Sequence, residues 1–221
     1  MSATPLRIAV LASGRGSNLA ALLAARDGDG LPVEFVLVGS DKASAGALQL
    51  AKAAGIPTLV LDPRSYPDRR AFDIDLFAHI TASGADLLVL AGFMRILDGE
   101  ALRPWVGRMI NIHPSLLPKY RGLHTHRRAL EAGDAEHGAS VHYVTAELDG
   151  GPVIAQARLT VQSGDDEHAL AARLLPLEHR LLPAVVNLIA DHRLGLSADG
   201  VSLDGRSLMA PLQLQGDTLV P

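Results

Sequence analysis

The segment Arg-Ile-Ala-Val-Leu-Ala-Ser-Gly-Arg-Gly-Ser-Asn, residues 7–18, decides the fold. Its first five residues form a short apolar run typical of a buried strand, and its glycine-rich part leads into a helical pattern over residues 19–26. Strand, glycine-rich turn and helix in this order are typical of an α/β fold. Glycines let the backbone approach a ligand, and the first N–H groups of a helix favour an anion. The sequence therefore predicts a site for a single phosphate at residues 13–18.

This turn differs from the dinucleotide-binding motif G-x-G-x-x-G. The third glycine of that motif would fall at position 19, which is Leu19. A single phosphate group is therefore a better prediction than a dinucleotide. In an alternative interpretation, the glycines serve only to pack the helix on the sheet, with Ser17 or Asn18 as the helix cap.

Apolar runs and amphipathic stretches alternate along the first half of the chain. Strands are predicted at residues 7–11, 33–39, 58–61, 86–91 and 109–112. Helices are predicted between them, at residues 44–54, 66–83 and 99–106. This alternation indicates an α/β fold with a doubly wound, mainly parallel sheet.

The second half of the chain has a different pattern. Two strands, at residues 140–144 and 152–161, flank a turn and predict an antiparallel hairpin. A long helical stretch at residues 166–193 contains two internal prolines, which favour a kink or a break. Residues 196–220 indicate a short hairpin and a loose tail.

Composition limits the class of protein. With 221 residues, of which 48% are hydrophobic, the chain has enough apolar material for one α/β domain. A formal charge of −4 without long runs of one sign argues against a nucleic-acid partner. The chain has no cysteine, no signal-peptide pattern and no apolar run of transmembrane length. We therefore expect a cytoplasmic protein without a membrane partner.

A second informative stretch is Met-Ile-Asn-Ile-His-Pro, residues 109–114. Alternate residues of a strand point to the same face, so Asn111 and His113 stand about 6.6 Å apart at their bases. Pro114 disfavours a helix and keeps His113 extended. Ligands of α/β sheets bind at the carboxyl ends of the strands. The two residues are either a catalytic amide and imidazole or ordinary polar residues satisfied by the next loop.

Two loops would complete such a site. Residues 147–151 form a turn with Asp149 at its tip, although a turn aspartate is more often only a turn former. If this tip folds over the strand end, Asp149 would keep His113 cationic near neutral pH, because an opposite charge favours the charged form. Residues 92–97, Gly-Phe-Met-Arg-Ile-Leu, either offer a flat heterocycle an apolar wall with one cation or simply pack in the fold.

Other chemistries are less favoured by the sequence. The nine histidines include two close pairs, His124 with His126 and His137 with His142. These spacings match no zinc-ligand pattern, so we expect no metal. Ser115 lacks the G-x-S-x-G context of a serine nucleophile. What remains is acid, base and oxyanion chemistry by an amide, an imidazole and a carboxylate.

Five motifs together resemble one family. They are Gly-Arg-Gly-Ser-Asn-Leu (14–19), Gly-Phe-Met-Arg-Ile-Leu (92–97), Asn-Ile-His-Pro-Ser-Leu-Leu-Pro (111–118), His-Gly-Ala-Ser-Val-His (137–142) and Glu-Leu-Asp-Gly-Gly-Pro-Val-Ile (147–154). In their order and spacing, they resemble the phosphoribosylglycinamide formyltransferases of purine biosynthesis. The resemblance implies direct transfer of a formyl group from the cosubstrate 10-formyltetrahydrofolate to the amine of glycinamide ribonucleotide.

The resemblance also implies which residues act. The catalytic residues would be Asn111, His113 and Asp149. In this scheme His113 is the general acid and Asp149 keeps it protonated. The backbone groups that hold the substrate phosphate would be those of Gly16, Ser17 and Asn18. Glu178 would contact the glycinamide portion. The folate-binding residues would be Arg69, Met94, Arg95, Ile96, Leu97, Asn111, Thr145, Ala146, Glu147, Leu148 and Asp149.

The motifs divide a single formyltransferase domain, residues 1–221, into three parts. These are a phosphate-binding half at 6–110, a catalytic and folate-binding half at 111–193, and a hairpin and tail at 194–221. Leu117–Pro118 is a candidate cis peptide bond.

Two alternatives remain beside the transferase, a 10-formyltetrahydrofolate hydrolase and a non-catalytic module that binds folate or a phosphate ligand. Methionyl-tRNA formyltransferase and formyltetrahydrofolate hydrolase each carry a further domain, for which we expect no room in this chain. We expect the two small-molecule substrates as partners of a monomer or homodimer.

Overall fold

The computed structural model describes residues 4–198 and 200–221, so residues 1–3 and 199 of the predicted domain lie outside the described residues. The described residues form two compact units. The first unit comprises residues 4–111 and 145–147, and the second comprises residues 112–144 and 148–221. The division lies next to the predicted one between residues 110 and 111. The single domain with three parts stays a prediction.

The first unit contains a parallel sheet. Its strands are β1 (Leu6–Leu11), β2 (Val33–Ser40), β3 (Thr58–Val60), β4 (Leu87–Leu90) and the beginning of β5 (Met109–His113). They lie in the order β5-β4-β1-β2-β3, and each neighbouring pair is parallel. β4 is buried along its whole length, as expected for a strand whose two faces are both covered. This burial explains why the sequence shows a continuous apolar run there.

Four α-helices connect these strands. They are α1 (Ser17–Gly28), α2 (Gly46–Ala53), α3 (Arg69–Ala82) and α4 (Gly99–Leu102), with short 3-10 turns at Pro63–Ser65 and Arg103–Trp105. α3 begins three residues later than the predicted start at residue 66. The reason is local, because the Asp68 side chain accepts a hydrogen bond from the Ala71 N–H at 2.8 Å and caps the helix.

The second unit is built on an antiparallel hairpin. Its strands β6 (Glu136–Tyr143) and β7 (Val153–Thr160) pair along most of their length. The helices are α5 (Thr125–Glu131) and α6 (Glu167–Ala190), and α6 packs on both strands of the hairpin. The predicted α/β fold class, with a mainly parallel sheet and an antiparallel hairpin in the C-terminal half, is confirmed. The candidate peptide bond Leu117–Pro118 is cis.

α6 runs without a break through Pro176 and Pro183, so of the predicted kink or break the break was wrong. An internal proline costs a helix about 3 kcal/mol. Opposing this cost, six apolar side chains of α6 are completely buried, and each contributes about 1.5–3 kcal/mol. They are Leu170, Leu174, Leu181, Leu182, Val185 and Val186. Burial of this stripe outweighs the cost of two prolines.

For residues 196–220, the predicted short hairpin is confirmed by an antiparallel pair of strands, whereas the predicted loose tail was wrong. Strands β8 (Leu194–Ser197), β9 (Gly200–Leu203) and β10 (Arg206–Ser207) form a small antiparallel sheet. β11 (Leu212–Gln215) then pairs in parallel with β7, and β12 (Thr218–Val220) pairs antiparallel with β11. These strands contain only two to four residues, which is too few for the sequence to show a period.

Candidate active site

The glycine-rich turn joins β1 to α1 in the first unit. Gly16 precedes α1 in the left-handed region, with φ at 82°, and a Cβ atom there would lie 2.7 Å from the Cα of Ala47. Gly16 is therefore required by its conformation and by its packing on α2. Ser17 and Asn18 form the first turn of α1, where backbone N–H groups and the helix dipole favour an anion. The expected cap at Ser17 or Asn18 was wrong, because Gly16 is the N-cap and no described side chain caps α1, and the close packing of Gly16 is on α2 and not on the sheet. Phosphate binding stays a prediction.

The loop after β4 contains the predicted apolar wall only in part. Met94 and Ile96 are exposed, at 65% and 52%, whereas Leu97 is 7% exposed and belongs to the core. The Arg95 guanidinium lies over the Phe72 ring, 4.6 Å from its centroid, in a cation–π contact. Exposed apolar surface in this loop is thus provided by Met94 and Ile96.

Two partly buried hydrogen bonds hold this loop. The Met94 N–H donates to the Ser13 hydroxyl at 2.9 Å, and the Asp98 N–H donates to the Asp73 carboxylate at 2.6 Å. Asp73 is completely buried, and burial raises the pKa of its carboxyl. The loop is therefore positioned by the side chain of Ser13, in the turn after β1, and by that of Asp73, on α3.

Further predicted folate-binding residues lie in the first unit. Arg69 is the exposed first residue of α3. Thr145 is half-buried, while Ala146 and Glu147 are exposed. A Cβ atom on Gly99, the first residue of α4, would lie 2.9 Å from the Ala146 Cβ, so the 145–147 segment packs closely on α4.

β5 brings the predicted amide and imidazole onto one strand. Asn111 and His113 occupy alternate positions of β5, which extends one residue beyond its predicted end. Asn111, half-buried, is the last residue of the first unit, and His113 belongs to the second. The side chain of His113 is buried, at 6% exposure of the residue.

Hydrogen bonding fixes the tautomer of His113. Its Nε2 lies 2.9 Å from the backbone carbonyl of Tyr120, which only accepts, so the proton of the neutral ring is assigned to Nε2. The Nδ1 atom faces the Asp149 carboxylate, 3.6 Å from Oδ2. His113 and Asp149 are thus brought together as predicted, in a geometry that becomes a hydrogen-bonded ion pair if Nδ1 takes up a proton.

Asp149 lies between two imidazole rings. Its Oδ2 accepts a hydrogen bond from the Gly122 N–H at 2.8 Å, and its Oδ1 is 3.6 Å from Nε2 of His142. Asp149 has φ at 47°, a left-handed conformation that costs energy in a non-glycine residue. The turn residue is therefore held in a strained conformation that directs its carboxylate toward His113 and His142.

His142 is a site residue that the sequence reasoning missed. It is buried on β6, and its Nδ1 bonds to the backbone carbonyl of Tyr143 at 2.9 Å, so Nε2 is left facing Asp149. The available signal was a histidine near the end of an apolar strand, with Asp149 at the tip of the hairpin that the same strand begins.

The protonation expected for His113 is corrected by its surroundings. Burial lowers the pKa of His113, and this effect outweighs the opposite effects of the Tyr120 carbonyl and the Asp149 charge. The resting imidazole is therefore neutral at pH 7. For Asp149, burial raises the pKa, but the nearby His142 and His113 rings and the Gly122 N–H together bring it below its usual value. The carboxylate is accordingly ionised beside a neutral ring.

Two further predicted residues lie in the second unit. Leu148 is exposed at 46% beside Gly122, where a Cβ atom would be 3.8 Å from its methyl group. Glu178 is half-buried in the middle of α6. In the described part of the chain, none of the helices is both long and apolar enough to cross a membrane.

The fold and the buried carboxylate between two imidazoles agree with one class of enzyme. Residues 6–186 match the profile of the family described as formyl transferase. The chain therefore belongs to the formyl transferase family. It is an enzyme, as the motifs predicted.

Individual relatives identify the closer group. The chain is 48% identical to the phosphoribosylglycinamide formyltransferase of Escherichia coli, over 92% of this chain and 96% of that protein. It is similar to a solved phosphoribosylglycinamide formyltransferase from Coxiella burnetii, with 47% identity and a TM-score of 0.89 over 92% of this chain and 96% of that one. It is also similar to the solved glycinamide ribonucleotide transformylase 1 from Symbiobacterium toebii, with 42% identity and a TM-score of 0.88. The match covers 91% of this chain and 95% of that one. The predicted resemblance is confirmed.

Proposed function

We propose that this enzyme transfers the formyl group of 10-formyltetrahydrofolate to the amine of N1-(5-phospho-D-ribosyl)glycinamide in purine biosynthesis. The products are formylglycinamide ribonucleotide and tetrahydrofolate. The observation that carries the proposal is the buried His113–Asp149 pair, with 3.6 Å between Nδ1 and Oδ2, on a chain 48% identical to an enzyme of that name.

The reaction needs one new bond, one broken bond and one proton transfer. The substrate amine attacks the formyl carbon, which becomes tetrahedral and carries negative charge on its oxygen. The amine nitrogen loses a proton, the folate nitrogen gains one, and the bond from the formyl carbon to the folate nitrogen breaks. No covalent intermediate with the enzyme is needed.

Asn111 and His113 would serve this reaction as hydrogen-bond donors and proton carrier. A preorganised donor near the developing oxyanion accelerates such reactions by about 10²–10³. Because His113 is neutral at rest, we propose that it becomes cationic only as the proton moves, and that Asp149 stabilises the cation at that stage. This replaces the earlier expectation of a permanently protonated His113.

Binding would be divided among the remaining predicted residues. We propose that the backbone of Gly16, Ser17 and Asn18 holds the phosphate and that Glu178 contacts the glycinamide portion. The proposed folate-binding residues are Arg69, Met94, Arg95, Ile96, Leu97, Asn111, Thr145, Ala146, Glu147, Leu148 and Asp149. Among them, Met94, Ile96 and Leu148 provide exposed apolar surface for a flat ring. The two substrates as sole partners, the monomer or homodimer and the cytoplasmic location stay predictions.

The test is an assay with purified protein, the ribonucleotide and 10-formyltetrahydrofolate, in which released tetrahydrofolate and the formylated ribonucleotide are both measured. We expect the two products in equal amounts and none without the ribonucleotide. Release of tetrahydrofolate without the ribonucleotide would identify a hydrolase. Binding of both compounds without any product would identify a non-catalytic module.

A further inference from the structure

The orientation of His113 depends on the chain segment that follows it. Residues 113–120, His-Pro-Ser-Leu-Leu-Pro-Lys-Tyr, form a loop that returns the Tyr120 carbonyl to Nε2 of His113 at 2.9 Å. Tyr120 has φ at 55°, a left-handed conformation that a non-glycine residue keeps only when its surroundings impose it. The position of this 113–120 loop therefore sets the tautomer and direction of the ring.

A completely buried hydroxyl binds the middle of the loop. Ser140, on β6, donates to the Ser115 carbonyl at 2.7 Å and accepts from the Leu117 N–H at 3.0 Å. It also accepts from Nε2 of Gln156 at 3.0 Å. One donor and two acceptor sites are all that a hydroxyl has, so the hydrogen-bonding capacity of Ser140 is used completely.

Gln156, on β7, connects this hydroxyl to the loop backbone. It is 3% exposed, and its amide Nε2 donates both to the Leu117 carbonyl at 2.9 Å and to Ser140. Its Oε1 accepts from Arg158 at 3.2 Å. A buried amide costs energy unless it is bonded. Here one donor bond goes directly to the 113–120 loop, and the other goes to Ser140, whose hydroxyl is itself bonded to that loop.

We propose that Gln156 is a positioning residue for His113, acting through Ser140 and Leu117 on the loop that carries the Tyr120 carbonyl. Without the Nε2 donor, the Leu117 carbonyl is left unsatisfied in a buried place and the loop relaxes. The Tyr120 carbonyl then no longer selects the Nε2–H tautomer of His113. The effect on turnover rests on the proposed function, whereas the effect on the ring does not.

The test variant is Gln156→Met, which keeps the length of the side chain and removes its donor. Gln213→Met is the matched control, because Gln213 pairs with Gln156 across β11 and β7 and also bonds to Arg158. For Gln156→Met we expect kcat to fall by about 10-fold or more with KM values within about twofold, since small displacements of catalytic groups reduce rate more than binding. For Gln213→Met we expect both constants within about twofold.

The direct readout is the His113 ring, followed by ¹⁵N NMR of the imidazole nitrogens over a pH series. In the wild-type protein we expect the Nε2–H tautomer, and in Gln156→Met a mixture with Nδ1–H. Burial lowers the pKa of His113 and the Tyr120 carbonyl opposes this, so weakening that bond shifts the titration to lower pH. A merely structural role for Gln156 would leave the tautomer unchanged.

Gln156→Glu is the second variant if Gln156→Met does not fold, because it replaces the Nε2 donor by an oxygen at the same size. The proposal is overturned if a folded variant keeps the wild-type tautomer and kcat, or if Gln213→Met loses as much kcat as Gln156→Met. If the wild-type protein transfers no formyl group, the proposed function fails, and the NMR spectra alone still decide the role of Gln156.

Discussion

The two compact units contribute candidate site groups of different kinds. In the first, the predicted phosphate site consists of backbone, and its essential residue, Gly16, has no side chain at all. In the second, the site consists of ionisable side chains, His113, Asp149 and His142, buried and fixed by backbone partners. A backbone site is damaged by adding atoms and a side-chain site by removing them. This difference can be tested from both directions.

The largest effect is expected from His113→Ala. Loss of the proton carrier should lower kcat by about 10²–10⁴, with KM values within a few-fold of wild type. Steady-state kinetics with both substrates measures the change. His168→Ala is the matched control, because His168 lies exposed on α6 and should leave both constants unchanged. A His113→Ala enzyme with near wild-type kcat would falsify the role of His113.

Gly16→Ala should damage the backbone site. The left-handed conformation costs alanine about 1–2 kcal/mol, and the contact with Ala47 adds about 1–3 kcal/mol of overpacking. We expect unfolding in urea to show a loss of about 3 kcal/mol, and KM for the ribonucleotide to rise about 10-fold because the first turn of α1 is displaced. Gly14→Ala is the control, since a Cβ there meets nothing within 4 Å. Equal effects of the two substitutions would contradict the backbone model.

Buried ionisable groups should also make stability depend on pH. His137 is 1% exposed, and burial followed by the charge of His126, whose Nδ1 is 2.9 Å away, lowers its pKa from 6.5 to about 4. The unfolded chain binds this proton at a higher pH than the folded protein does. The free energy of unfolding therefore falls as pH falls from about 6.5 to about 4. At about 1.4 kcal/mol per unit, His137 contributes a loss of about 3 kcal/mol.

The measurement is urea unfolding at pH 7 and at pH 4.5 for the wild type and His137→Gln. The variant cannot take up this proton, so its free energy of unfolding should fall less over the same interval. Parallel pH dependence in the two proteins would show that His137 does not titrate as its burial requires.

The smallest effects on stability are expected at a feature that the two units share, an aspartate that caps a helix. Asp68 caps α3 in the first unit, and Asp166 caps α6 in the second, each by accepting from a backbone N–H three residues later, at 2.8 and 2.7 Å. Asp68→Ala and Asp166→Ala should each cost about 1 kcal/mol in denaturant unfolding. A much larger loss in only one variant would reveal a role of that aspartate beyond its helix.

The sequence predicted what depends on local pattern. Apolar runs identified the strands of the first unit, because a strand covered on both faces, such as β4, consists of consecutive apolar residues. The glycine-rich turn identified the beginning of α1. The hairpin pattern likewise placed Asp149 at the tip of a turn, whereas its proximity to His113 stayed conditional on how that tip folds. These features need only a few neighbouring residues to be specified.

What the sequence missed depends on distant residues. The protonation of His113 is decided by burial, which only the folded chain provides. His142 faces Asp149 because β6 and β7 pair in one register, and no spacing in the sequence states that register. The continuous α6 reflects burial of its apolar stripe against the hairpin, which opposes the local preference of Pro176 and Pro183.

The strands formed by the final ten residues also bear on solubility. Without β11, the eight-residue β7 would present unpaired backbone groups along one edge, a template for strand addition by another molecule. β11 pairs with Ala155 and Gln156 in the middle of that edge, and the outermost strand becomes β12, which has only three residues. A strand of three residues has few backbone groups with which an incoming chain could pair. Substitutions that detach this segment should therefore cause aggregation in preference to a specific loss of formyl transfer.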